Sequence, residues 1–157
     1  MTQQSGRGRA SIRWDEWDYR AAGIYFVTIC THGRQRLFEE ARLRTVVENA
    51  WAWLPRYPSG RGLELDAWVV MPDHLHGIIR LLPTRESTES DRGGSLGALV
   101  GQFKRISTRR INLLRRSPGA PVWQRGYHDR VVRDDDELQR IRTYIAENPT
   151  RWRATHR

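Results

Sequence analysis

The chain has 157 residues, enough for one domain with a real core and too few for two, so we expect a flexible basic arm over 1–13 and a single domain over 14–157. A single cysteine, Cys30, excludes an internal disulfide framework and a cysteine-rich zinc site. The sequence has no apolar run long enough to span a bilayer and no signal peptide, so we expect a cytoplasmic protein that does not enter membranes.

The charge balance is strongly basic. The formal net charge is +9, and arginine supplies nearly all of the excess because Lys104 is the one lysine. Such a field attracts polyanions, and the planar guanidinium group binds phosphate in bidentate fashion and stacks on bases. An anionic membrane surface is the competing partner, but the sequence contains no long basic amphipathic helix. Composition therefore favours nucleic acid.

The first half of the chain predicts a strand, a helix and a hairpin. The run Tyr25 to Cys30 is β-branched and aromatic, which is typical of a buried strand near the centre of a sheet. From Glu40 to Leu54 apolar residues recur at helical spacing, and Pro55 is expected to end the helix. Next, a set of apolar residues alternates with a second, partly polar set, which predicts a second strand; the first set is Leu63, Leu65, Ala67, Val69 and Met71, and the second is Glu64, Asp66, Trp68 and Val70.

The turn Met71 to Asp73 leads into a third strand that carries two histidines. His74 and His76 share one face of this strand, whereas Leu75, Ile79 and Leu81 face the other. Two neutral imidazoles at this spacing can hold one divalent ion if a third ligand comes from elsewhere in the chain. A pair of surface histidines at a turn is the alternative, and the spacing alone leaves both open.

A polar segment separates the hairpin from a second helix. Residues 83–95 are too polar to pack and predict a mobile loop, with Ser95 as a helix cap. Apolar positions from Leu96 to Leu114 then form one helical face. Four basic residues lie outside that face: Lys104, Arg105, Arg109 and Arg110. They indicate either a solvated surface or a contact with the phosphates of a nucleic acid.

The last part of the chain predicts a strand and a helix. Val122 to Gln124 and Tyr127 to Val132 read as one strand with a bulge between them. Acidic residues then mark a helix N-terminus, and Pro149 predicts that the helix ends just before it. Tyr144 and Asn148 stand at i and i+4, on one face of the last turn.

The predicted order is strand, helix, strand, strand, helix, strand, helix. This order is that of the split βαβ, or ferredoxin-like, fold followed by one more helix. We therefore predict an α+β protein with a ferredoxin-like antiparallel sheet and an additional C-terminal helix that carries Tyr144.

Four motifs in this order carry a family resemblance. They are Tyr25 to Cys30, Val70 to His76, Val122 to Tyr127, and Tyr144 to Pro149. Over roughly residues 19–152 the sequence resembles the single-tyrosine HUH transposases, and most closely the REP-associated tyrosine transposases. Four ordered motifs are far more specific than one pair of histidines.

The resemblance implies a nucleoid-associated enzyme, a monomer or homodimer, that cuts and rejoins single-stranded or hairpin DNA. On that analogy His74, His76 and Asn148 bind Mg²⁺ or Mn²⁺, and Tyr144 is the nucleophile. Attack by tyrosine would leave a 5'-phosphotyrosine and a free 3'-hydroxyl that can reverse the reaction. A free tyrosine has a pKa of about 10, so a divalent ion that withdraws charge from the phosphate would assist it.

Two other functions fit the same residues. One is a non-catalytic protein that binds structured DNA or RNA with this fold, and the other is a metal phosphodiesterase that uses water and leaves Tyr144 dispensable. The chain also departs from the family after Pro149, where Thr150 to Arg153 replaces the small and apolar residues expected. Trp152, in that segment, is expected either to pack or to stack on unpaired bases.

Overall fold

The computed structural model describes residues 3–5, 12–14, 22–57, 62–82 and 96–156. The regular elements in these ranges are β1 (Gln3–Ser5), β2 (Ile12–Trp14), β3 (Gly23–Cys30), α1 (Ala41–Ala52), β4 (Leu63–Met71), β5 (His74–Leu81), α2 (Leu96–Arg115), β6 (His128–Val132) and α3 (Asp135–Thr155). Short 3-10 turns lie at His32–Arg34, Leu37–Glu39 and Leu54–Arg56. Among these helices, none has the length and apolar character needed to cross a membrane.

Four of the strands form the main sheet. Their order is β4-β5-β3-β6, and every neighbouring pair is antiparallel. β3 therefore lies inside the sheet, as its continuous apolar sequence predicted. The connections through α1 and α2 and this strand order are those of the ferredoxin-like fold, and α3 follows β6. The predicted α+β fold with an additional C-terminal helix carrying Tyr144 is confirmed.

The sheet is covered on both faces. Leu75 and Ile79 of β5 belong to the larger core, which α1 and α2 complete from one side. Ile78 faces the other way, into a smaller core with Ile141 and Ile145 of α3. Alternation along β5 thus sends successive side chains to two helix layers, and the strand is buried along nearly its whole length.

A bulge in β4 interrupts the alternation of side chains between the two faces that was predicted for that strand. Leu65 pairs with Ile79 and Trp68 pairs with Gly77, so β4 has one residue more than β5 between these pairs. Beyond the bulge, Trp68 packs against the larger core, on the same side as Leu65, and Ala67 packs against the smaller one. Because of the extra residue, odd-numbered side chains face the larger core before the bulge and the smaller core after it.

The bulge also places Asp66 where it holds α3. Its carboxylate accepts hydrogen bonds of 2.8 and 2.6 Å from Nε and Nη2 of Arg142. The hydrogen bond from Arg142 lowers the pKa of Asp66 to about 2. At its N-terminus α3 is capped by Asp134, which accepts from the Glu137 amide at 2.8 Å, while Glu137 accepts from the amide of Arg133 at 3.1 Å. These contacts fix the helix that carries Tyr144 over the sheet.

The prediction that α3 ends before Pro149 is wrong, because the helix continues to Thr155. Proline within a helix removes one backbone hydrogen bond and costs about 3 kcal/mol, so other contacts must hold the last two turns. Arg151 donates to the Tyr144 carbonyl at 3.0 Å, and the Trp152 ring packs beside His74. Local sequence rules do not include such contacts.

Other segments also differ from expectation. The last strand is β6 alone, and Val122 to Gln124 is instead an extended segment tied to the end of β3 by an isolated bridge between Thr31 and Trp123. Gly126, with φ 77°, lies between this segment and β6 and is not a bulge in a continuous strand. Pro55 lies inside the 3-10 turn Leu54–Arg56 that follows α1.

Near the predicted arm over 1–13, β1 pairs with β2 as a small antiparallel ribbon. The rest of 1–21, the loop over 83–95 and the Ser95 cap lie outside the described residues.

At Gly77 the backbone of β5 lies directly against the Trp51 ring of α1. A Cβ atom built on Gly77 would lie 2.4 Å from Cζ2 of the fully buried Trp51. Overpacking of this kind typically costs 1–3 kcal/mol, so we expect Gly77→Ala to lower the free energy of unfolding by about that amount in urea denaturation. Gly101→Ala, inside α2 and 3.6 Å from a flexible arginine end, is the matched control and should be neutral or stabilising by up to about 1 kcal/mol. Equal stability of the two variants would contradict the packing of Trp51 on β5.

Candidate active site

Two buried histidines form the centre of the candidate site. His74 and His76 lie on the α3 face of β5 with ring centroids 4.5 Å apart, while their neighbour Leu75 faces the opposite core. The predicted common face is thus confirmed. The two residues are only 8% and 6% exposed, so a pair of solvated surface histidines is excluded.

Asp73 and Arg34 orient His74. Nδ1 of His74 donates to the Asp73 carboxylate at 2.6 Å, since a carboxylate can only accept. The other carboxylate oxygen of Asp73 accepts from Nε of Arg34 at 3.1 Å. Burial lowers the pKa of His74, although Asp73 opposes the shift. With Nδ1 engaged, the lone pair of Nε2 is the one left for a ligand.

His76 is held by the neighbouring strand β3. A hydrogen bond of 2.8 Å joins its Nδ1 to the hydroxyl of Thr28, and the Phe26 ring stacks on it at 5.5 Å between centroids. Burial lowers the pKa of His76 to about 3, with the charges of His74 and Arg34 adding to the effect. Both imidazoles are therefore neutral near pH 7, which is the form that binds a metal ion.

A stripe of three side chains on α3 faces these histidines. Tyr144, Asn148 and Trp152 stand at i, i+4 and i+8, one above the other on the helix. The Tyr144 ring lies 5.3 Å from His76, and the Trp152 ring lies 6.2 Å from His74. Asn148, between them on the stripe, is buried. The helix thus runs antiparallel to the short histidine segment and covers it.

Tyr144 is the exposed member of the site. The residue is 41% exposed and thus accessible to a substrate, while its ring lies edge-on beside the rings of Phe26 and His76. The guanidinium of Arg151 lies 4.6 Å from the centre of the ring. A guanidinium in this position is attracted to the face of the aromatic ring.

The donor atoms fit a divalent metal ion. Both imidazole rings are neutral, so each offers the lone pair of Nε2. The amide nitrogen of Asn148 donates to the Tyr144 carbonyl at 3.5 Å, which leaves Oδ1 of Asn148 as an acceptor. Within the described ranges, no three His, Cys, Asp or Glu side chains come together as a ligand set. The amide oxygen of Asn148 is the third ligand that the resemblance implies for this pair.

The basic residues predicted on α2 lie away from this centre. α2 packs on the sheet face opposite α3, and Arg105 and Arg109 line a cleft of about 790 Å³ there with Arg116. Lys104 has a different role, because its ammonium donates to the carbonyls of Gln124, at 2.9 Å, and Gly126. Burial lowers its pKa to about 8. Lys104 thereby fixes the segment before β6, and a phosphate contact of α2 would depend on the arginines.

Several side chains of the site were not assigned from the sequence. Asp73 lies directly before His74, so its role could have been inferred from their adjacency, whereas Thr28 joins the site only through the register of β3 with β5, in which it pairs with His76. Arg34 ends the 3-10 turn His32–Arg34 and itself has φ 54°, a conformation that an arginine in the sequence does not signal. Trp152 was excluded from the helix by the expected end at Pro149.

A ferredoxin-like sheet with paired histidines under a tyrosine-bearing helix is the arrangement that the resemblance to transposases predicted, and the family comparison gives the class directly. The chain belongs to the family of IS200-like transposases, whose model matches residues 22–148.

Two relatives and one solved structure are similar to the chain over most of its length. The chain is 32% identical to an uncharacterized protein of Haemophilus influenzae over 92% of this chain and 89% of that protein. It is 26% identical to a candidate REP-associated tyrosine transposase of the same organism, over 85% of this chain and 74% of the relative. Its fold is similar to the solved structure of a REP-associated tyrosine transposase bound to a REP hairpin, with a TM-score of 0.64 and 22% identity over 88% of this chain and 73% of the other.

Burial of His76 predicts an acid-labile fold. Its pKa is about 3 in the folded protein and near 6.5 in an unfolded chain, so the unfolded state takes up the proton first as the pH falls. The free energy of unfolding should be insensitive to this group above pH 6.5 and should decrease from there towards pH 3. His76→Gln should make that decrease shallower in urea titrations at about pH 7.5 and about pH 5, and a matched change at the exposed His156 should not. Identical pH slopes in both variants would contradict a neutral, buried His76.

Proposed function

We propose that the protein is a metal-dependent endonuclease and strand transferase that cuts and rejoins hairpin or palindromic DNA, in the cytoplasm, through a 5'-phosphotyrosine. The observation that carries the proposal is the stripe on α3, which sets the accessible Tyr144 beside His76 and buries Asn148 one turn later. Membership of the transposase family and the relatives named as REP-associated tyrosine transposases support it.

His74, His76 and Asn148 would hold the metal ion. Two imidazole nitrogens and an amide oxygen, completed by water and phosphate oxygens, suit Mg²⁺ or Mn²⁺. A bound divalent ion would withdraw charge from the scissile phosphate. Asp73 would then act as a positioning residue, because its hydrogen bond fixes the ring and tautomer of His74.

Tyr144 would carry the covalent step. Its oxygen attacks the phosphorus, a phosphorus–oxygen bond forms to the tyrosine, and the bond from phosphorus to the 3' oxygen breaks. The phenol proton is lost to solvent and the departing 3' oxygen takes one up, which leaves a free 3'-hydroxyl. One phosphodiester is exchanged for another, so the step is reversible without ATP. Arg151, 4.6 Å from the ring centre, would stabilise the charge that develops on the phenol oxygen.

The arginines of α2 would bind DNA at a distance from the cut. Arg105, Arg109 and Arg116 line their cleft together with the exposed Leu113, and the described residues that line it include no carboxylate. Arg110 is exposed on the same helix. Guanidinium groups around an apolar depression suit a sugar-phosphate chain with its bases. Because α2 and α3 cover opposite faces of the sheet, a DNA that contacts both must extend around it.

Tyr144→Phe tests the nucleophile. The change removes one oxygen and keeps the ring that packs on Phe26 and His76. With Mg²⁺ or Mn²⁺ and a hairpin substrate, we expect the unchanged protein to become attached to the 5' end of the downstream fragment, as a species that survives denaturing electrophoresis. In the Phe variant, adduct and cleavage should vanish together while DNA binding persists.

Metal dependence and the alternative functions are distinguished in the same assay. A chelator should abolish cleavage, and His76→Ala should do so while largely sparing DNA binding. Cleavage by the Phe variant with no adduct in either protein would indicate a phosphodiesterase that uses water. Absence of cleavage by either protein across metals and substrates would indicate a non-catalytic DNA-binding protein.

Salt dependence tests the α2 surface. Replacing Arg105 and Arg109 by alanine should weaken DNA binding and reduce the slope of log K against log salt by about 0.7 per lost contact on a single strand, or about 0.9 on a duplex. Alanine at Arg42 and Arg44, both exposed on α1, removes the same charge elsewhere and should leave the slope nearly unchanged. Equal slopes in the two double variants would show that the α2 face is only solvated.

A further inference from the structure

Trp152 has no role in the covalent step, yet it belongs to the catalytic stripe of α3. It lies two turns after Tyr144, which corresponds to about 12 Å along the helix axis. Its ring is half-buried and lies 6.2 Å from His74, and the guanidinium of Arg36 lies 5.4 Å from the ring centre. An indole is therefore held at the edge of the candidate metal site, between that site and solvent.

One face of this indole is covered by the exposed side chain of His156. The imidazole of His156 lies 3.7 Å from the Trp152 ring centre at an interplanar angle of 7°. His156 is exposed, follows the last residue of α3, and is tied to it by its bonds to Thr155 and to the Trp152 carbonyl. A flat heterocycle stacked in parallel on an indole occupies the position that a nucleobase takes on an aromatic platform.

We infer that Trp152 is the stacking platform for an unpaired base of the DNA strand that Tyr144 cuts. The inference rests on the proposed function, and it assigns this residue a place for the single-stranded part of the substrate. In this arrangement the base displaces His156 from the indole. Arg36 and Arg151, on either side of the stripe, lie where they can attract the neighbouring phosphates.

An unpaired base fits the site better than a paired one. Stacking on one exposed face of an indole requires a base whose own neighbour has moved away, which a single strand allows and a duplex resists. The separation of about 12 Å from Tyr144 is more than three steps of a stacked strand at 3.4 Å, so the base on Trp152 is not the one next to the cut in stacked form. The platform would therefore hold the strand at a second point beyond the scissile phosphate.

The test compares two DNAs on the uncut complex. Tyr144→Phe protein, which keeps the substrate intact, is titrated with a hairpin that carries a single-stranded extension and with the same hairpin without it. Adding Trp152→Ala should weaken binding of the extended hairpin about 5- to 150-fold, equivalent to the 1–3 kcal/mol of one stacked base, and should leave the blunt hairpin unchanged. Trp152→Phe should lose less, because an aromatic face remains.

A photochemical readout locates the contact. With 5-iododeoxyuridine at successive unpaired positions, irradiation should yield a crosslink at one position, mapped by peptide mass to Trp152. Trp53→Ala is the matched control, because Trp53 is 49% exposed and also carries an arginine near its ring but lies at the end of α1, on the other side of the sheet. It should change neither affinity nor crosslink. His156→Ala, which uncovers the indole, should leave affinity unchanged or raise it.

Four results would overturn the inference. Trp152→Ala could leave the affinity for the extended hairpin unchanged, it could weaken binding of both DNAs equally, or the crosslink could map to another residue. The fourth is a loss of affinity in His156→Ala, which would assign the contact to the imidazole. All of these measurements are made without cleavage, so they stand apart from the adduct assay. A platform without any tyrosine adduct would leave a stacking site in a DNA-binding protein.

Discussion

The position of α3 over the histidine face of β5 is the contact on which the whole candidate site depends. His74 and His76 come from a strand whose place is fixed by pairing on both sides, but Tyr144, Asn148 and Trp152 reach them only because one helix lies across that strand. The helix has few apolar residues to hold it, chiefly those that meet Ile78 in the smaller core. A bidentate ion pair to the sheet supplies the directional contact that a small hydrophobic patch lacks, because it fixes rotation as well as distance.

Burial keeps the two imidazoles neutral, the form that binds a metal ion, and it also makes the folded state less stable in acid. A buried histidine that stays neutral near pH 7 is ready to bind a cation without first losing a proton, and the low pKa of His76 expresses that state. The same burial means that acid favours the unfolded chain. His74 differs, since Asp73 offsets part of the shift and links the ring to Arg34. The two histidines are thus chemically unequal, with His74 tied to a charged pair and His76 to a hydroxyl.

Period and spacing predicted most of the fold, and what they missed has identifiable physical causes. The common face of His74 and His76 follows from alternation alone, and the sheet order follows from the sequence of elements. The bulge beside Asp66 could not be predicted, because one extra residue in β4 is defined only against its partner strand. The continuation of α3 past Pro149 is supported by a hydrogen bond from Arg151 back to the Tyr144 carbonyl and by the packing of Trp152 beside His74, which outweigh a local rule. Lys104 was grouped with the arginines as a cation for solvent or for phosphate, because its acceptors are backbone carbonyls 20 and 22 positions away in sequence.

The sheet separates two properties that a strand transferase needs together. On the proposed function, positive charge on α2 would supply affinity, whereas the chemistry and the base platform lie on the opposite face with α3. Phosphate contacts far from the cut bind any strand and select none, but they oblige a DNA that also reaches Tyr144 to follow one path around the sheet. Holding the strand both there and on Trp152 would leave the scissile phosphate little freedom, which converts binding energy at remote points into alignment at the reacting atoms. In the proposed reaction the departing 3' end must stay near the phosphotyrosine for the step to reverse. Alignment of the DNA on both sides of the cut would therefore matter more than in a nuclease that releases its products.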